Sequence, residues 1–479
     1  MLSKVPPASP QLAPRDAEFV YNESDTHAGH LMVSYFFDAD QGSCAEVTGE
    51  QAVAWITARL GYADLFTARL QRTPFDLDYP RWVPAGLPDM DHHVTVQHVG
   101  AGGWEPVRSY LGVLLARKLD MTRPPWELHV LCGVHGLDDL PGRYTVVTLK
   151  IHHSAADGLA ARELTQALFS TSLAPAGRTA TSPMSRSAQL TRGLVAFPGK
   201  SFRFLQGLST TRRAGVVVGE AEQAGEIVPI RDDLAATRFN RSLQGEVSVD
   251  FMTLTIDEAK AIRAAVPGAS LNDVYLTIVA GALAAYLDSC DETPRDPLCA
   301  MVPRSMRRIE RWESANQLAI LTVDLNVDER DPLVRLRKIA TAASAAKRRS
   351  DHPAVRTKGK RVETAPAWLL RLTGFAVRHY PHDSDRGRQS HTTVSNIPVT
   401  VDGCTFAGAP AVAILGGQPP VDGDALRHYL LAAADGKLII NFFSSSATMP
   451  DPDIYARLLR ASLTELSDAA AIGVNSALL

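Results

Sequence analysis

The pattern of apolar and polar positions changes its period near residue 152. Residues 144–151 are rich in β-branched side chains, with apolar residues crowded toward the end of the segment. This composition predicts a strand that is buried on at least one face. Immediately downstream, apolar residues recur at helical spacing at Leu159, Ala160, Leu164, Ala167 and Leu168. The sequence therefore predicts a strand, a short loop and a helix.

The second half of the chain alternates between the same two periods. Strand-like patterns occupy residues 247–251, 299–303, 319–326 and 437–443. Helical patterns occupy residues 256–266, 272–287, 332–348 and 452–466. This alternation predicts a mixed α/β fold.

Chain length and local composition suggest how the fold is divided. A chain of 479 residues is long for one hydrophobic core, so two domains are expected. Residues 175–187 are rich in Pro, Gly, Ser, Thr and Ala, which is typical of a surface linker, and a polar and basic stretch follows. We predict an N-terminal domain over residues 1–174, a linker or crossover segment over 175–245, and a C-terminal domain over 246–479.

Composition and charge exclude several classes of protein. The chain is 45% hydrophobic and 21% charged, as in soluble globular proteins, and its net charge of −3 gives no support for nucleic-acid binding. The five cysteines are scattered and form no CxxC pair, so a reducing cytoplasm fits best. The longest apolar run, residues 274–287, is shorter than the roughly 20 residues that a membrane-spanning helix needs. Any membrane association is therefore predicted to be peripheral.

The loop between the predicted strand and helix carries the strongest chemical signal. Residues 152–158 read HHSAADG. Adjacent side chains of an extended backbone point to opposite faces, so one histidine can act as a general base while the other packs. Asp157 could cap the following helix or pair with an arginine, and Gly158 permits a tight turn or close backbone approach. A packed core histidine and a metal site stay open as alternatives, although a third metal ligand is lacking nearby.

This heptad resembles the active-site motif of the acyl-CoA-dependent HHxxxDG acyltransferases, which include chloramphenicol acetyltransferase and peptide-synthetase condensation domains. The chain is more closely similar to bacterial wax ester synthase/diacylglycerol acyltransferases (WS/DGAT). That resemblance covers nearly the whole chain and rests on blocks in the family's order. The blocks are residues 12–19 (LAPRDAEF), 26–29 (THAG), 123–127 (RPPWE), 271–274 (LNDV), 302–307 (VPRSMR), 316–317 (NQ) and 395–398 (SNIP).

The resemblance implies a fold, a reaction and a set of site residues. The implied fold is two chloramphenicol-acetyltransferase-like α/β domains with an active-site tunnel at their interface. His153, the second motif histidine, would deprotonate an alcohol that then attacks the thioester carbonyl of acyl-CoA, without a covalent acyl-enzyme. Beside it stand His152 and Gly158 of the motif; Asp157 would be structural, and Asn272 would be an oxyanion donor or positioning group. Acyl-CoA and a lipid alcohol are the implied substrates, with no cofactor and no metal.

Three positions depart from the family pattern. Pro125 stands where the family has leucine, Ala315 replaces a glycine, and residues 245–247 read GEV where an arginine pair is expected. We expect these differences to affect acceptor or CoA binding more than the type of reaction.

Two segments combine basic and apolar residues in a way that suits a lipid surface. One contains Arg356, Lys358, Lys360 and Arg361, followed by Trp368, Leu372, Phe375 and Ala376. The other contains Phe197, Phe202, Phe204, Leu205 and Leu208, with Lys200, Arg203, Arg212 and Arg213. Each segment could dock on an anionic membrane or pack on the protein core.

Taken together, these features predict a cytoplasmic, peripherally membrane-associated O-acyltransferase. It would transfer a long acyl chain from acyl-CoA to diacylglycerol, giving triacylglycerol, or to a fatty alcohol, giving a wax ester. One alternative is a condensation-type enzyme that uses carrier-protein thioesters. Another is a non-catalytic protein that binds lipid or coats droplets.

Overall fold

The computed structural model describes residues 11–100, 102–170, 183–310, 312–379 and 388–477. Within these ranges the helices are α1 (Pro14–Asn22), α2 (Gly49–Thr57), α3 (Met90–His93), α4 (Trp104–Ala116), α5 (Gly158–Phe169), α6 (Arg186–Gln223), α7 (Ile256–Ala264), α8 (Leu271–Ser289), α9 (Pro332–Asp351), α10 (Pro353–Gly359), α11 (Ala367–His379) and α12 (Pro452–Ala477). The strands are β1 (His30–Asp38), β2 (Ala68–Gln71), β3 (Arg81–Pro84), β4 (Val94–His98), β5 (Trp126–Val134), β6 (Tyr144–His152), β7 (Val247–Thr255), β8 (Cys299–Ser305), β9 (Leu318–Asp324), β10 (Thr392–Asn396), β11 (Thr405–Phe406), β12 (Ala409–Gly417), β13 (Leu426–Ala432) and β14 (Lys437–Ser445).

The elements predicted from hydrophobic period are present. The four helical patterns of the second half form α7, α8, α9 and α12, and its four strand patterns form β7, β8, β9 and β14. The strand predicted before the histidine loop is β6, which is buried at every position. The mixed α/β class is therefore confirmed, and the largest difference in length is at α12, which continues past the predicted end at residue 466 to Ala477.

Two six-stranded sheets form the framework. The first sheet has the order β11-β12-β1-β6-β5-β4, and the second has the order β7-β14-β13-β10-β8-β9. Pairing within the first sheet is antiparallel except between β4 and β5, whereas β10 of the second sheet runs parallel to both of its neighbours. These sheets correspond to the two α/β units that the resemblance implies.

One exchange crosses the predicted domain division. Strands β11 and β12 come from the second half of the chain, yet β12 pairs with β1 in the first sheet. A side chain at Gly416 would bring a Cβ atom within 2.6 Å of the Met32 carbonyl oxygen, so glycine permits this close pairing. Residues 405–417 thus complete the first sheet and satisfy the edge of β1. Part of the segment predicted as the C-terminal domain, residues 246–479, thus belongs to the first sheet, and the boundaries at 174 and 245 stay predictions.

The predicted linker contains a long helix. Residues 175–182 of that segment lie outside the described residues, and α6 then begins after its N-cap, Ser185, whose hydroxyl accepts from the Ala188 N–H at 3.2 Å. The helix has 38 residues and includes Pro198. The polar and basic stretch of the predicted linker or crossover segment is therefore helical over most of its length and packs against α10.

One hydrophobic cluster joins the two sheets. Buried residues of the first sheet, such as Phe36 and Leu149, belong to the same cluster as Val249 and Phe443 of the second sheet. On the same side, a Cβ atom at Gly112 of α4 would lie 1.9 Å from a carbonyl oxygen of β7. Close packing of α4 on β7 therefore fixes the first unit against the second, so a site at their junction can be built from both.

Candidate active site

The HHSAADG loop occupies the predicted place between β6 and α5. His152 is the last residue of β6, and Gly158 is the first residue of α5. Both histidines and Asp157 are buried. A Cβ atom at Gly158 would lie 3.4 Å from the Ile397 side chain, so the glycine permits an approach by residues of the second half of the chain.

Asp157 combines the two roles that the sequence left open. Its carboxylate accepts from the Ala160 N–H at 2.9 Å and so caps α5. The same carboxylate accepts from Arg307 Nη2 at 2.8 Å and from the Gln317 N–H at 3.2 Å. Arg307 and Gln317 both come from the second half of the chain. The carboxylate therefore ties the histidine loop to the other unit as well as to its own helix.

His153 is held through its backbone and through one face of its ring. Its N–H donates to the Gly29 carbonyl at 2.8 Å, and its own carbonyl accepts from Asn316 Nδ2 at 2.9 Å. The ring stacks on Phe19 with 4.0 Å between centroids and an interplanar angle of 9°. The orientation of this imidazole is consequently set by residues that lie far from it in sequence.

The surroundings of His153 keep its imidazole neutral. Burial lowers the pKa of His153 to about 4, although the Asp157 charge, the carbonyl of His153 itself and Asn316 act in the opposite direction. Nδ1 is fully buried and has no hydrogen bond of ordinary geometry to a described residue. A neutral imidazole can accept a proton from an alcohol.

His152 lies between Ser154 and Glu23. The Ser154 N–H donates to its Nδ1 at 3.2 Å, so Nδ1 acts as an acceptor and Nε2 carries the proton. Nε2 lies 3.7 Å from Glu23 Oε1, and that carboxylate also accepts from the Gly29 N–H at 3.1 Å. Burial acts to raise the pKa of Glu23, but its contacts with His152 and Gly29 bring that pKa below its ordinary value. The two imidazole rings thus lie in different surroundings, as their alternation along a strand predicts.

The RPPWE block supports the loop from the neighbouring strand. Trp126 is fully buried, and its Nε1 donates to the Phe66 carbonyl at 3.1 Å. Glu127 accepts from Arg117 at 2.6 Å; burial acts to raise its pKa, but nearby cationic and imidazole groups lower it to about 2. Pro125, which stands where the family has leucine, uses its carbonyl to accept from the His152 N–H at 3.1 Å. The substitution therefore leaves this backbone contact in place.

Asn272 is not joined to the histidine loop by a hydrogen bond among the described residues. It lies in the first turn of α8, where Ser270 and Asp273 form a capping box. Its proposed part as an oxyanion donor or positioning group stays a prediction. The asparagine that does reach the loop is Asn316. The sequence alone assigned no role to four residues near the loop, namely Asp16, Phe19, Arg307 and Asn316. All four lie in blocks that resemble the family, and this resemblance was the only indication that they matter.

A narrow apolar cavity lies beside the start of α5. The space it encloses is only about 20 Å³, enough for about one water molecule. The lining comes from both halves of the chain and includes Leu31, Val33, Gly158, Ala161, Ile397 and Leu431. This lining is apolar, but in this conformation the cavity is too small to hold an acyl chain.

Within the described ranges, His, Cys, Asp and Glu side chains form no group of three that could hold a metal ion. Nor does any helix in those ranges combine the length and apolar character required to cross a bilayer.

A buried histidine loop that ends one strand and is fixed from a second α/β unit places this chain among the HHxxxDG acyltransferases. Within that class, the chain belongs to the wax ester synthase/diacylglycerol acyltransferase family. The family's catalytic domain matches residues 12–275, and the WS/DGAT C-terminal domain matches residues 314–467.

Individual relatives agree with this placement. One relative is a Mycobacterium tuberculosis protein whose name, diacylglycerol O-acyltransferase, is itself an inference. It is 28% identical over 467 residues, which cover 96% of this chain and 99% of the relative. The wax ester synthase/diacylglycerol acyltransferase structure from Marinobacter aquaeolei VT8 matches with a TM-score of 0.65 and 19% identity over 96% of this chain and all of that one. The starter condensation domain of rhizomide synthetase matches with a TM-score of 0.51 and 14% identity over 96% and 94% of the two chains. At these identities the two structures show the shared fold alone.

Proposed function

We propose that this protein transfers a long acyl chain from acyl-CoA to the hydroxyl group of diacylglycerol, giving triacylglycerol, and to fatty alcohols, giving wax esters. The observation that carries the proposal is the neutral, stacked imidazole of His153 in a loop fixed from both units. Family membership supports the acyltransfer chemistry, and the relatives named as diacylglycerol O-acyltransferases support the choice of acceptor.

The proposed reaction uses His153 as a general base and then as a general acid. Nε2 takes the hydroxyl proton while the alcohol oxygen bonds to the thioester carbonyl carbon. The tetrahedral intermediate collapses by breaking the carbon–sulfur bond, and the leaving thiolate takes the proton from the imidazolium. The products are an ester and free CoA, and no acyl-enzyme forms. Asp157, paired with Arg307, keeps the loop in place throughout these steps.

We propose that the apolar cavity widens to admit the acyl chain and then forms part of the active-site tunnel. The cavity reaches Gly158, five positions after His153, and its lining is almost wholly apolar. A chain in the widened cavity would be shielded from water while its thioester end stays near the histidine loop.

The reaction can be tested with purified protein and labelled palmitoyl-CoA. We expect labelled triacylglycerol with dioleoylglycerol as acceptor and wax ester with hexadecanol, and a short alcohol tests the acceptor range. Palmitoyl-carrier protein serves as the alternative donor. Turnover with the carrier thioester but not with acyl-CoA would favour a condensation-type enzyme. Binding of lipid without product from any donor and acceptor would favour the non-catalytic alternative.

The two segments that combine basic and apolar residues expose apolar side chains. Phe202 on α6 is 62% exposed, Leu372 on α11 is 56% exposed, and Phe75 is 79% exposed. Phe75 lies in the turn Pro74–Asp76, which contacts both helices, so the three residues lie on neighbouring elements of the structure. Core packing, the alternative left open by the sequence, does not account for this exposure.

We propose that this region docks the enzyme peripherally on the cytoplasmic side of an anionic lipid surface. Exposed apolar side chains can enter the headgroup region while the neighbouring Arg203, Arg212 and Arg213 meet anionic lipid. All five cysteines are free, which suits the proposed compartment.

Vesicle flotation provides the test of docking. We expect binding to vesicles rich in phosphatidylglycerol, weaker binding to pure phosphatidylcholine, and loss of binding in the Phe202→Asp/Leu372→Asp variant. Val113→Asp is the matched control, because Val113 is 61% exposed on α4. Equal flotation of the double variant and the control would contradict the assignment of this surface.

A further inference from the structure

Helix α1 reaches the backbone of His153 through a buried carboxylate. Asp16 accepts from Ser314 Oγ at 2.7 Å and from the N–H groups of Ala315 and Asn316 at 2.9 and 3.0 Å. It also accepts from Asn316 Nδ2 at 2.7 Å, and the same amide nitrogen donates to the His153 carbonyl at 2.9 Å. The Asp16 carboxylate is thus two hydrogen bonds from the main chain of the proposed base.

The same helix reaches the ring of His153 three residues later. Asp16 and Phe19 are one helical turn apart on α1, so both side chains can face the loop. The Phe19 ring covers one face of the imidazole in nearly parallel contact. The terminal torsion of a histidine side chain has broad, poorly defined minima, so packing against the ring face is needed to fix its plane.

Helix α1 is itself held firmly. A Cβ atom at Gly374 of α11 would lie 2.4 Å from the Tyr21 carbonyl oxygen, so the two helices pack with their backbones in close approach. Arg378 donates to that same carbonyl, and the Tyr21 hydroxyl donates to Asp76 at 3.3 Å. A helix anchored in this way can hold another group in a fixed orientation.

We propose that α1 positions the general base: Asp16 fixes the main chain of His153 through Asn316, and Phe19 fixes the plane of its imidazole. This inference rests on the proposed acyltransferase function. Both side chains act through His153, so they are positioning residues. Small misplacement of a reacting group lowers rate strongly, because a fixed attack geometry supplies much of the catalytic advantage.

The ring contact is tested with Phe19→Leu and Phe19→Tyr. Leucine keeps apolar volume but removes the flat aromatic surface, so we expect kcat to fall about tenfold with KM for palmitoyl-CoA changed less than about twofold. Tyrosine keeps the ring and is expected to restore kcat to within about threefold of the parent. Phe442→Leu is the matched control, because Phe442 is buried in a separate hydrophobic cluster formed by residues of the second half of the chain. If Phe19→Leu lowers only the melting temperature, as the control does, then the positioning role is wrong.

The backbone contact is tested with Asp16→Asn. Four N–H and O–H groups donate to the Asp16 carboxylate. An amide at this position has one oxygen that can accept and an NH₂ group that would face some of these donors, so the contact with Asn316 is expected to loosen. We expect kcat to fall about tenfold. Because both variants disturb the same imidazole, the Asp16→Asn/Phe19→Leu combination should cost less than the product of the two single losses. Independent, fully multiplicative losses would contradict a shared target.

A readout without turnover separates this inference from the proposed function. In NMR spectra of protein with labelled histidines, the ring signals of His153 are identified as those missing from the His153→Gln variant. The stacked Phe19 ring should shift these signals upfield. Phe19→Leu is expected to remove that shift and broaden the signals. Wild-type protein that gives no acyl transfer would overturn the proposed function while the spectra still decide the positioning role. Unchanged His153 signals in Phe19→Leu would overturn the positioning role even in an active enzyme.

Discussion

The two halves of the molecule contribute differently to one site. In the first sheet, the histidine loop follows β6 and carries the imidazole that we assign as the base. The second half contributes Arg307, Asn316 and Gln317, whose contacts with the loop restrain it. The reactive group and its restraints are therefore about 150 residues apart in the chain. A local motif can identify such a base, but the precision of the site depends on contacts between distant segments.

The restraints on His153 also differ in kind from those of a serine-protease triad. In the triad a buried carboxylate accepts directly from the imidazole Nδ1–H. Here Asp157 caps α5 and pairs with Arg307, and the described residues supply no hydrogen-bond partner for the His153 Nδ1. The ring is held by stacking and the loop by backbone contacts. Asp157 consequently acts mainly on the loop. Its charge raises the pKa of His153, but burial lowers that pKa by more.

The largest effect is expected from removing the base itself. His153→Ala should lower kcat by about 10²- to 10⁴-fold, the usual contribution of general base catalysis. The change is measured by product formation from labelled palmitoyl-CoA and dioleoylglycerol. The exposed His92 provides the control, since His92→Ala should leave kcat unchanged. Full activity in His153→Ala would show that His153 is not the general base.

The next effect is expected at the contact between the two halves. Arg307→Met leaves the buried Asp157 carboxylate without its ion pair, and breaking a buried pair costs about 3 kcal/mol or more. Because Arg307 is partly exposed, we expect stability to fall by about that lower figure and kcat to fall about 10- to 100-fold. Denaturant unfolding and steady-state kinetics measure the two losses. Wild-type kcat in a folded Arg307→Met protein would show that the second half does not restrain the loop.

A smaller effect is expected from crowding the contact beside His152. A Cβ atom at Gly29 would lie 2.8 Å from His152 Nε2 and from the Phe19 carbonyl oxygen. Gly29→Ala should therefore destabilise the protein by about 1–3 kcal/mol through overpacking and lower kcat several-fold. Gly61→Ala is the matched control, because a Cβ atom there would have no neighbour within 4 Å. Equal stability of the two variants would show that the segment around Gly29 yields easily.

The smallest change is expected in the pH dependence. The base must be neutral to act, and its pKa is lowered to about 4, so kcat/KM should stay level from about pH 8 to pH 5.5 and decline only toward pH 4. The unfolded state binds its proton near pH 6.5, so the contribution of His153 to stability falls as pH drops from that value toward 4. Melting temperatures in the same buffers separate the two effects. Half-maximal kcat/KM near pH 6.5 would contradict a buried neutral base.

Local patterns predicted the elements, whereas long-range contacts could not be derived from them. The alternation around residue 152 was enough to place β6, the loop and α5, because period and capping are local properties. The family blocks marked the segments that converge on His153. Neither source indicated that β12 pairs with β1, because the partner of a strand edge is chosen in three dimensions. Composition also missed α6, since its basic and apolar residues lack a clear amphipathic period.

The most direct test of the division between base and restraints is a double-mutant cycle across the two halves. Asp157→Asn, Arg307→Met and the double variant are compared in kcat and in free energy of unfolding. If the pair acts as one restraint on the loop, the double variant should lose little more than the worse single variant, with a coupling energy above about 1 kcal/mol. Losses that add to within about 0.5 kcal/mol would show that the two residues act independently. That result would contradict the claim that the second half of the chain restrains the loop that carries His153.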